Sequence, residues 1–313
     1  MKTIPPGTTS SSQQRTSSHA TQTSTPDAQN ADVAALESDP SAQARREENP
    51  PSRELAQEET ASLKRKAGKV FVVLPAYNEG ENLVSLLSKI ETVFATNGRE
   101  YEVIVVDDAS TDNTAEVASR ASFEMPLTLV QHRVNQNLPG ALRTGFETAI
   151  QLAGDHDIVV TMDGDDTHPP GTINPLIQKI GEGYDVMIAS RFQPGSRVVG
   201  VPPLRVLMAF GARMLFKTIM PIEGVRDYTC GYRAYRASVL RKSMEFYGDQ
   251  FVSELGFSCM ADVLLKMRRF KFVIGEVPLL LRYDQKQGGS KMAVAKTVWL
   301  SIKLLLKRRF GGY

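Results

Sequence analysis

The sequence predicts an α/β fold, a mostly parallel sheet with helices on both faces. Three observations carry this. From Lys69 onward, short apolar runs that read as buried strands alternate with amphipathic helical segments, the pattern of βαβ units. Two strand runs end in acidic clusters, Asp107-Asp108 and Asp163-Gly164-Asp165-Asp166, and in an open parallel sheet the carboxyl ends of the strands face a ligand crevice and not a core. The chain has 313 residues, 42% of them hydrophobic and 23% charged, enough to bury a full core as one large domain with an ill-ordered extension.

The elements follow in order. Strand one is Val70 to Leu74, stopped by Pro75, and helix one runs from about Glu79 to Phe94 with Leu83, Leu86, Leu87 and Ile90 on one face. Strand two, Val103 to Val106, ends in Asp107-Asp108, and the polar turn Ala109 to Thr114 leads into a helix reaching about Arg120. Leu127 to Gln131 is strand three, Leu142 to Leu152 helix three, and Ile158 to Met162 strand four. Pro169 and Pro170 close the acidic loop that follows, with Asp166 and Thr167 placed as N-caps for a helix starting near Pro169. Met187 to Ala189 is a core strand before Ser190, Leu204 to Met220 an amphipathic helix, and Gly275 to Pro278 a late strand. A long helix begins near Glu254, and a basic amphipathic helix runs from about Lys291 to the C-terminus.

Charge and composition divide the chain into an extension at 1–66, a folded domain at 67–290 and the basic helix at 291–313. The extension is rich in Ser, Thr, Gln, Pro and Ala and holds few large apolar residues, so it cannot offset its ordering entropy and reads as disordered. It carries no secretory signal, and no run approaches the roughly 20 apolar residues of a membrane span. Residues 290–313 carry six basic side chains and no acid, which points to a membrane surface rather than nucleic acid. Val294, Val298, Ile302 and Leu305 share one side of that helix, Lys296, Lys303 and Lys307 lie largely on another, and Trp299 suits the headgroup layer; the same apolar face would equally cover the sheet. Cys230 and Cys259 form neither a disulfide framework nor a zinc site, so a reducing compartment is expected, and His132, His156 and His168 lack metal-ligand spacing.

The acidic loop carries the chemistry. Asp163 and Asp165 flank Gly164, which lets both carboxylates address one point while the backbone passes close to a ligand. Two hard oxygens of this kind suit Mg²⁺ or Mn²⁺ completed by water and substrate phosphate, so a metal-bound diphosphate is expected. Pro75 to Glu79 sets a ring, an amide and a carboxylate at the crevice mouth, where a base can pack while Glu79 and Asp108 accept hydrogen bonds; Asn78 would also serve as a helix cap. A phosphate-binding P-loop and a dinucleotide glycine fingerprint are both absent. After Ser190 the chain offers Arg191, Arg197, Arg205 and Arg213 with no acid before Glu223, as an anionic acceptor requires.

Leu74-Pro75-Ala76-Tyr77-Asn78-Glu79, Asp107-Asp108-Ala109-Ser110, Met162-Asp163-Gly164-Asp165 with His168-Pro169-Pro170, Ser190-Arg191-Phe192 and Asp227-Tyr228-Thr229-Cys230-Gly231-Tyr232-Arg233 together resemble the family 2 glycosyltransferases of GT-A fold. Within them the set is most similar to the dolichyl or polyprenyl phosphate mannose synthase branch, in order over about residues 69–293. The resemblance implies that Pro75, Tyr77, Glu79 and Asp108 hold the nucleoside, that Asp163 and Asp165 bind the divalent metal, and that Arg191 and Arg205 meet the lipid phosphate. Thr167 stands where the family often has Gln or Ser as a further metal-side ligand. The family's late Arg-x-x-Gly-x-Ser-Lys segment is three residues longer here, running from Arg282 past Lys286 to Ser290-Lys291, and which cation reaches the donor diphosphate stays open. Asp227 and Arg233 are expected to pair and shape the acceptor side, and Glu254 to approach the mouth or to complement a helix dipole.

The implied activity is inverting transfer of a hexose, mannose from GDP-mannose, to a polyprenyl or dolichyl monophosphate by a peripheral protein on the cytoplasmic face of a membrane, with or without a small membrane anchor subunit. A lipid phosphate is already an anionic nucleophile near neutral pH, whereas an alcohol needs a positioned base, for which Glu254 or Asp227 are the sources. A UDP-sugar donor, a hydroxyl acceptor and a non-catalytic nucleotide-sugar sensor are the alternatives.

Overall fold

A computed structural model of the chain describes residues 68–256, 258–285 and 294–310; the expectations for 1–66, Lys286 and Lys291 lie outside them. The strands are β1 (Val70–Ala76), β2 (Tyr101–Asp107), β3 (Leu127–Gln131), β4 (Ile158–Thr161), β5 (Val186–Ser190), β6 (Arg197–Val199), β7 (Arg233–Arg236), β8 (Ile274–Pro278) and β9 (Leu280–Arg282). The α-helices are α1 (Gly80–Asn97), α2 (Thr114–Ala121), α3 (Asn137–Leu152), α4 (Ile173–Gly181), α5 (Pro203–Ile219), α6 (Ala237–Tyr247), α7 (Ser258–Met267) and α8 (Val294–Phe310).

Among the described residues seven strands form one sheet in the order β3-β2-β1-β4-β7-β5-β8, and of these only β7 runs antiparallel to its neighbours. The chain leaves β1 toward β2 and β3 on one side and returns to β4 on the other, so the order reverses between β1 and β4, where α/β sheets open a ligand crevice at their carboxyl ends. Core strands are apolar because both faces are covered: Val70 to Leu74 and Val103 to Val106 are buried throughout. Leu83, Leu86, Ile90 and Phe94 of α1 seal one face, each contributing about 1.5–3 kcal/mol of apolar transfer. Gly145 of α3 passes so close to the sheet that a Cβ there would stand 2.3 Å from Val73 Cγ1, which fixes the helix against β1 and β2.

Several boundaries differ from expectation for identifiable reasons. β1 continues through Pro75 to Ala76, because Pro75 lacks only a donor, and the Asp108 N–H bonds Ala76 O at 2.9 Å to carry the ladder past it. α3 begins at Asn137, five residues before Leu142, since Pro139 sits in the first turn where no helical N–H is needed. Asp166 and Thr167 cap no helix: a single 3₁₀ turn, Pro170–Thr172, precedes α4. Strand β7 had no apolar run to announce it, as Arg-Ala-Tyr-Arg has charged ends, and β6 with β9 forms a separate two-stranded parallel ribbon.

α8 packs on α5 and α7 through buried Leu304 and Leu305. Arg308 grips Asp262 of α7 through Nε and Nη2 at 2.8 and 3.1 Å, and Lys307 binds Glu254 at 2.6 Å. Of the expected apolar face, Leu305 is buried while Ile302 is left outward, and Trp299, Leu306 and Phe310 are exposed as well. No helix of the described residues is long and apolar enough to cross a membrane.

Candidate active site

Five strand ends meet at the reversal of strand order. After β1, Asn78 adopts a left-handed backbone (φ 53°), which Asn tolerates. Its N–H donates to Ser110 Oγ at 2.9 Å and its Oδ1 accepts from the Thr111 N–H at 2.8 Å, so it braces the β2 loop and does not cap α1. The Glu79 N–H donates to Thr114 Oγ1 at 2.9 Å, while its carboxylate accepts from Asn82 Nδ2 at 2.7 Å. These bonds hold Tyr77, still 39% exposed, at the mouth.

Asp108, buried after β2, accepts through Oδ1 from the Gln136 N–H at 2.8 Å and lies 2.7 Å from His132 Nδ1; His132 Nε2 is 2.9 Å from Thr144 Oγ1. His132 thus orients Asp108, a role invisible to a search for metal-ligand spacing. Its sequence signal was its place one residue past β3.

After β4, a Cβ on Gly164 would lie 3.1 Å from Pro75 O and one on Gly231 would lie 3.2 Å from Asp163 Oδ1. Both glycines open a cradle around the acidic pair. The Asp163 N–H donates to His168 Nδ1 at 3.3 Å, and His168 stacks on Tyr232 with ring centroids 5.1 Å apart. Thr167 donates to Asp165 Oδ1 from its hydroxyl at 2.7 Å and its N–H at 3.2 Å. The Arg282 N–H in turn donates to Thr167 O at 3.0 Å, which brings β9 against the loop, while the Arg282 guanidinium forks onto Asp284. Among the described residues no three His, Cys, Asp or Glu side chains converge on one point. Asp163 and Asp165, on either side of Gly164, offer two carboxylates, a number that fits Mg²⁺ or Mn²⁺ when phosphate oxygens and water complete the shell.

Opposite stands Arg191. Its Nε donates to Asp227 Oδ2 at 2.8 Å, and its Nη2 donates to Asp227 Oδ1 and Thr229 Oγ1, both at 2.6 Å. Asp227 is fully buried and accepts also from the N–H groups of Arg191, Thr229 and Cys230. Burial would raise its pKa, but the Arg191 charge and these bonds hold it below the ordinary carboxylate range. Burial likewise works to lower the Arg191 value, and Asp227 more than reverses it; the charge of Asp163 also reaches Arg191. The expected Asp227–Arg233 pair is corrected: Arg233, fully buried, donates to Met260 O at 2.7 Å and Tyr228 O at 2.8 Å. Glu276 of β8 accepts the N–H groups of Arg226 and Asp227 at 2.5 and 2.6 Å, and burial pushes its pKa up. Burial pushes the Cys230 and Cys259 thiols up to about 12, which makes them inert.

Arg205 lies in the first turn of α5, its side chain outside the described residues. Beyond it, Leu207, Phe210 and Gly211 of α5 and Ser301 of α8 line an apolar cleft of about 400 Å³, next to exposed Leu204 and Met214.

Residues 71–244 match the family model described as Glycosyl transferase family 2. The chain belongs to that family. A dolichol-phosphate mannosyltransferase of Pyrococcus furiosus is 34% identical over 232 residues, 74% of this chain and 61% of that protein, so the match spans less than two thirds of the archaeal relative. An undecaprenyl-phosphate mannosyltransferase of Micrococcus luteus is 32% identical over 72% of this chain and 88% of its own length. Among solved structures, glucosyl-3-phosphoglycerate synthase of Mycobacterium tuberculosis, crystallised with Mn²⁺, UDP and glucosyl-3-phosphoglycerate, aligns with a TM-score of 0.52 at 22% identity over 80% of this chain and 82% of that one. This family 2 glycosyltransferase accordingly has the α/β architecture of the GT-A class.

Proposed function

We propose that this family 2 glycosyltransferase moves a hexose, mannose from GDP-mannose, to a polyprenyl or dolichyl monophosphate at the cytoplasmic face of a membrane, using Mg²⁺ or Mn²⁺. The observation that carries the acceptor class is the state of the two carboxylates on which an alcohol acceptor would draw for a base. Asp227 is buried against Arg191 and Glu254 is paired with Lys307, so neither is placed to take a proton. An acceptor that arrives as an anion needs none.

In this reading Pro75, Tyr77, Glu79 and Asp108 hold the nucleoside, with Asp108 fixed by His132 and Gln136. Asp163 and Asp165 would hold the divalent ion, which, when bound, neutralises charge on the departing nucleoside diphosphate. Arg191 is pre-set by Asp227 and Thr229 through Nε and Nη2, which leaves its Nη1 donors, on a side chain 22% exposed, to turn toward phosphate. Arg205, on the adjoining first turn of α5, is the second phosphate cation. The hydrocarbon of the acceptor would run along the apolar cleft between α5 and α8, whose outward Trp299, Leu306 and Phe310 would enter the membrane interface. Thr167 acts by orienting Asp165. With both substrates so held, displacement at the anomeric carbon proceeds in line and with inversion.

The test is transfer of labelled sugar from a panel of GDP- and UDP-sugars to short-chain polyprenyl phosphate, with Mg²⁺ or Mn²⁺ and with EDTA. The expected result is a charged lipid-phosphate mannose from GDP-mannose that EDTA abolishes. Turnover only with the corresponding polyprenol would overturn the phosphate acceptor, and turnover only with a UDP-sugar would overturn the donor.

A further inference from the structure

The acidic loop contains a third carboxylate that the functional reading leaves unused. Asp166 is 4% exposed and sits in the left-handed region (φ 58°), a conformation non-glycine residues adopt rarely. Its Oδ2 lies 2.5 Å from Lys89 Nζ, whereas its Oδ1 is buried with no hydrogen-bond partner among the described residues. Lys89 belongs to α1, 77 residues away in sequence. A buried carboxylate in a strained backbone persists only if its surroundings hold it there, and among the described residues Lys89 of α1 is its ion-pair partner. The turn at Asp166 folds Thr167 back so that its hydroxyl and N–H both reach Asp165 Oδ1.

We propose that Lys89 and Asp166 are a positioning pair: by locking the left-handed turn between Asp165 and Thr167, the ion pair presets Asp165 for the divalent ion and the donor diphosphate. This rests on the reading of Asp163 and Asp165 as metal ligands. Lys89 touches neither substrate nor ion, so its effect is on how well the site holds the ion and not on the bond-making step.

The experiment measures Mn²⁺ binding to the full chain with GDP, by electron paramagnetic resonance of free Mn²⁺, alongside thermal unfolding. Lys89→Met is expected to weaken Mn²⁺ binding about ten- to a hundredfold, the range typical of groups that support metal ligands, and Lys89→Arg to stay near wild type. The double variant Lys89→Met with Asp166→Leu removes the buried charge with its partner. It should fold stably yet still bind Mn²⁺ weakly. Wild-type binding by Lys89→Met, or full recovery in the double variant, overturns the positioning role while leaving the metal reading intact. Binding unchanged by Asp165→Asn overturns both.

Discussion

At the residue scale, the candidate site is built from pairs in which one charged side chain is held in place by a neighbour. Asp165 with Thr167, Asp108 with His132 and Arg191 with Asp227 each follow this plan. Asp165→Ala removes one of the two carboxylates proposed to hold the metal and is expected to abolish turnover in the labelled-sugar assay while shifting the unfolding temperature little, because the carboxylate lies at the mouth and not in the core. Asp227→Asn has the opposite signature. It leaves Arg191 without its counter-charge, and loss of one partner of such a buried pair costs about 3–5 kcal/mol. The pH dependence follows in sign. The folded pKa of Asp227 lies below its ordinary 3.8, so its stabilisation is complete above 3.8 and is lost as pH falls through the folded value. Glu276 runs the other way: its raised pKa means its contribution is complete below 4.5 and lost as pH rises through the folded value. Unfolding temperatures measured against pH should therefore show a gap between wild type and Asp227→Asn that is constant at neutral pH and closes only on the acid side of 3.8.

At the element scale, α8 shows how one amphipathic helix serves two surfaces. Leu304 and Leu305 face α5 and α7, Arg308 and Lys307 are committed to Asp262 and Glu254, and Trp299, Leu306 and Phe310 remain outside. Asp262 is fully buried between Arg308 and Lys266, so the helix is anchored by charge as well as by apolar contact. Replacing Trp299 and Phe310 together by Ala is expected to reduce flotation with anionic liposomes while leaving the unfolding temperature unchanged, since both side chains are more than half exposed. An equal fall in unfolding temperature and flotation would show instead that these rings pack on the protein.

At the scale of the whole molecule, the strand order brings to one edge residues that are far apart in sequence. The strand ends after β1, β2, β4 and β5 and the start of β7 supply Tyr77, Asp108, Asp163, Arg191 and Arg233 to that edge. Much of this was legible from residue patterns. Apolar runs located β1, β2 and β4, the last two followed by acidic clusters, because a strand buried on both faces must be apolar until it reaches the crevice. β7, β6 and β9 were not legible, since short strands with charged ends carry no periodic signal and exist only because neighbours pair with them. His132 and Lys89 were missed for the same reason. Neither lies near its partner in sequence, and a single cation or imidazole has no motif. Local patterns of burial and charge were enough for the class of fold and the acidic pair, and the motifs around Pro75, Asp108, Asp163, Arg191 and Asp227 carried the resemblance to the family. Only the tertiary structure decided that Asp227 faces Arg191 and not Arg233, that α8 divides its apolar face, and that Lys89 reaches Asp166. Ion pairing inside a protein is a contest among all charges brought within a few ångströms, and that proximity is set by packing across the sheet.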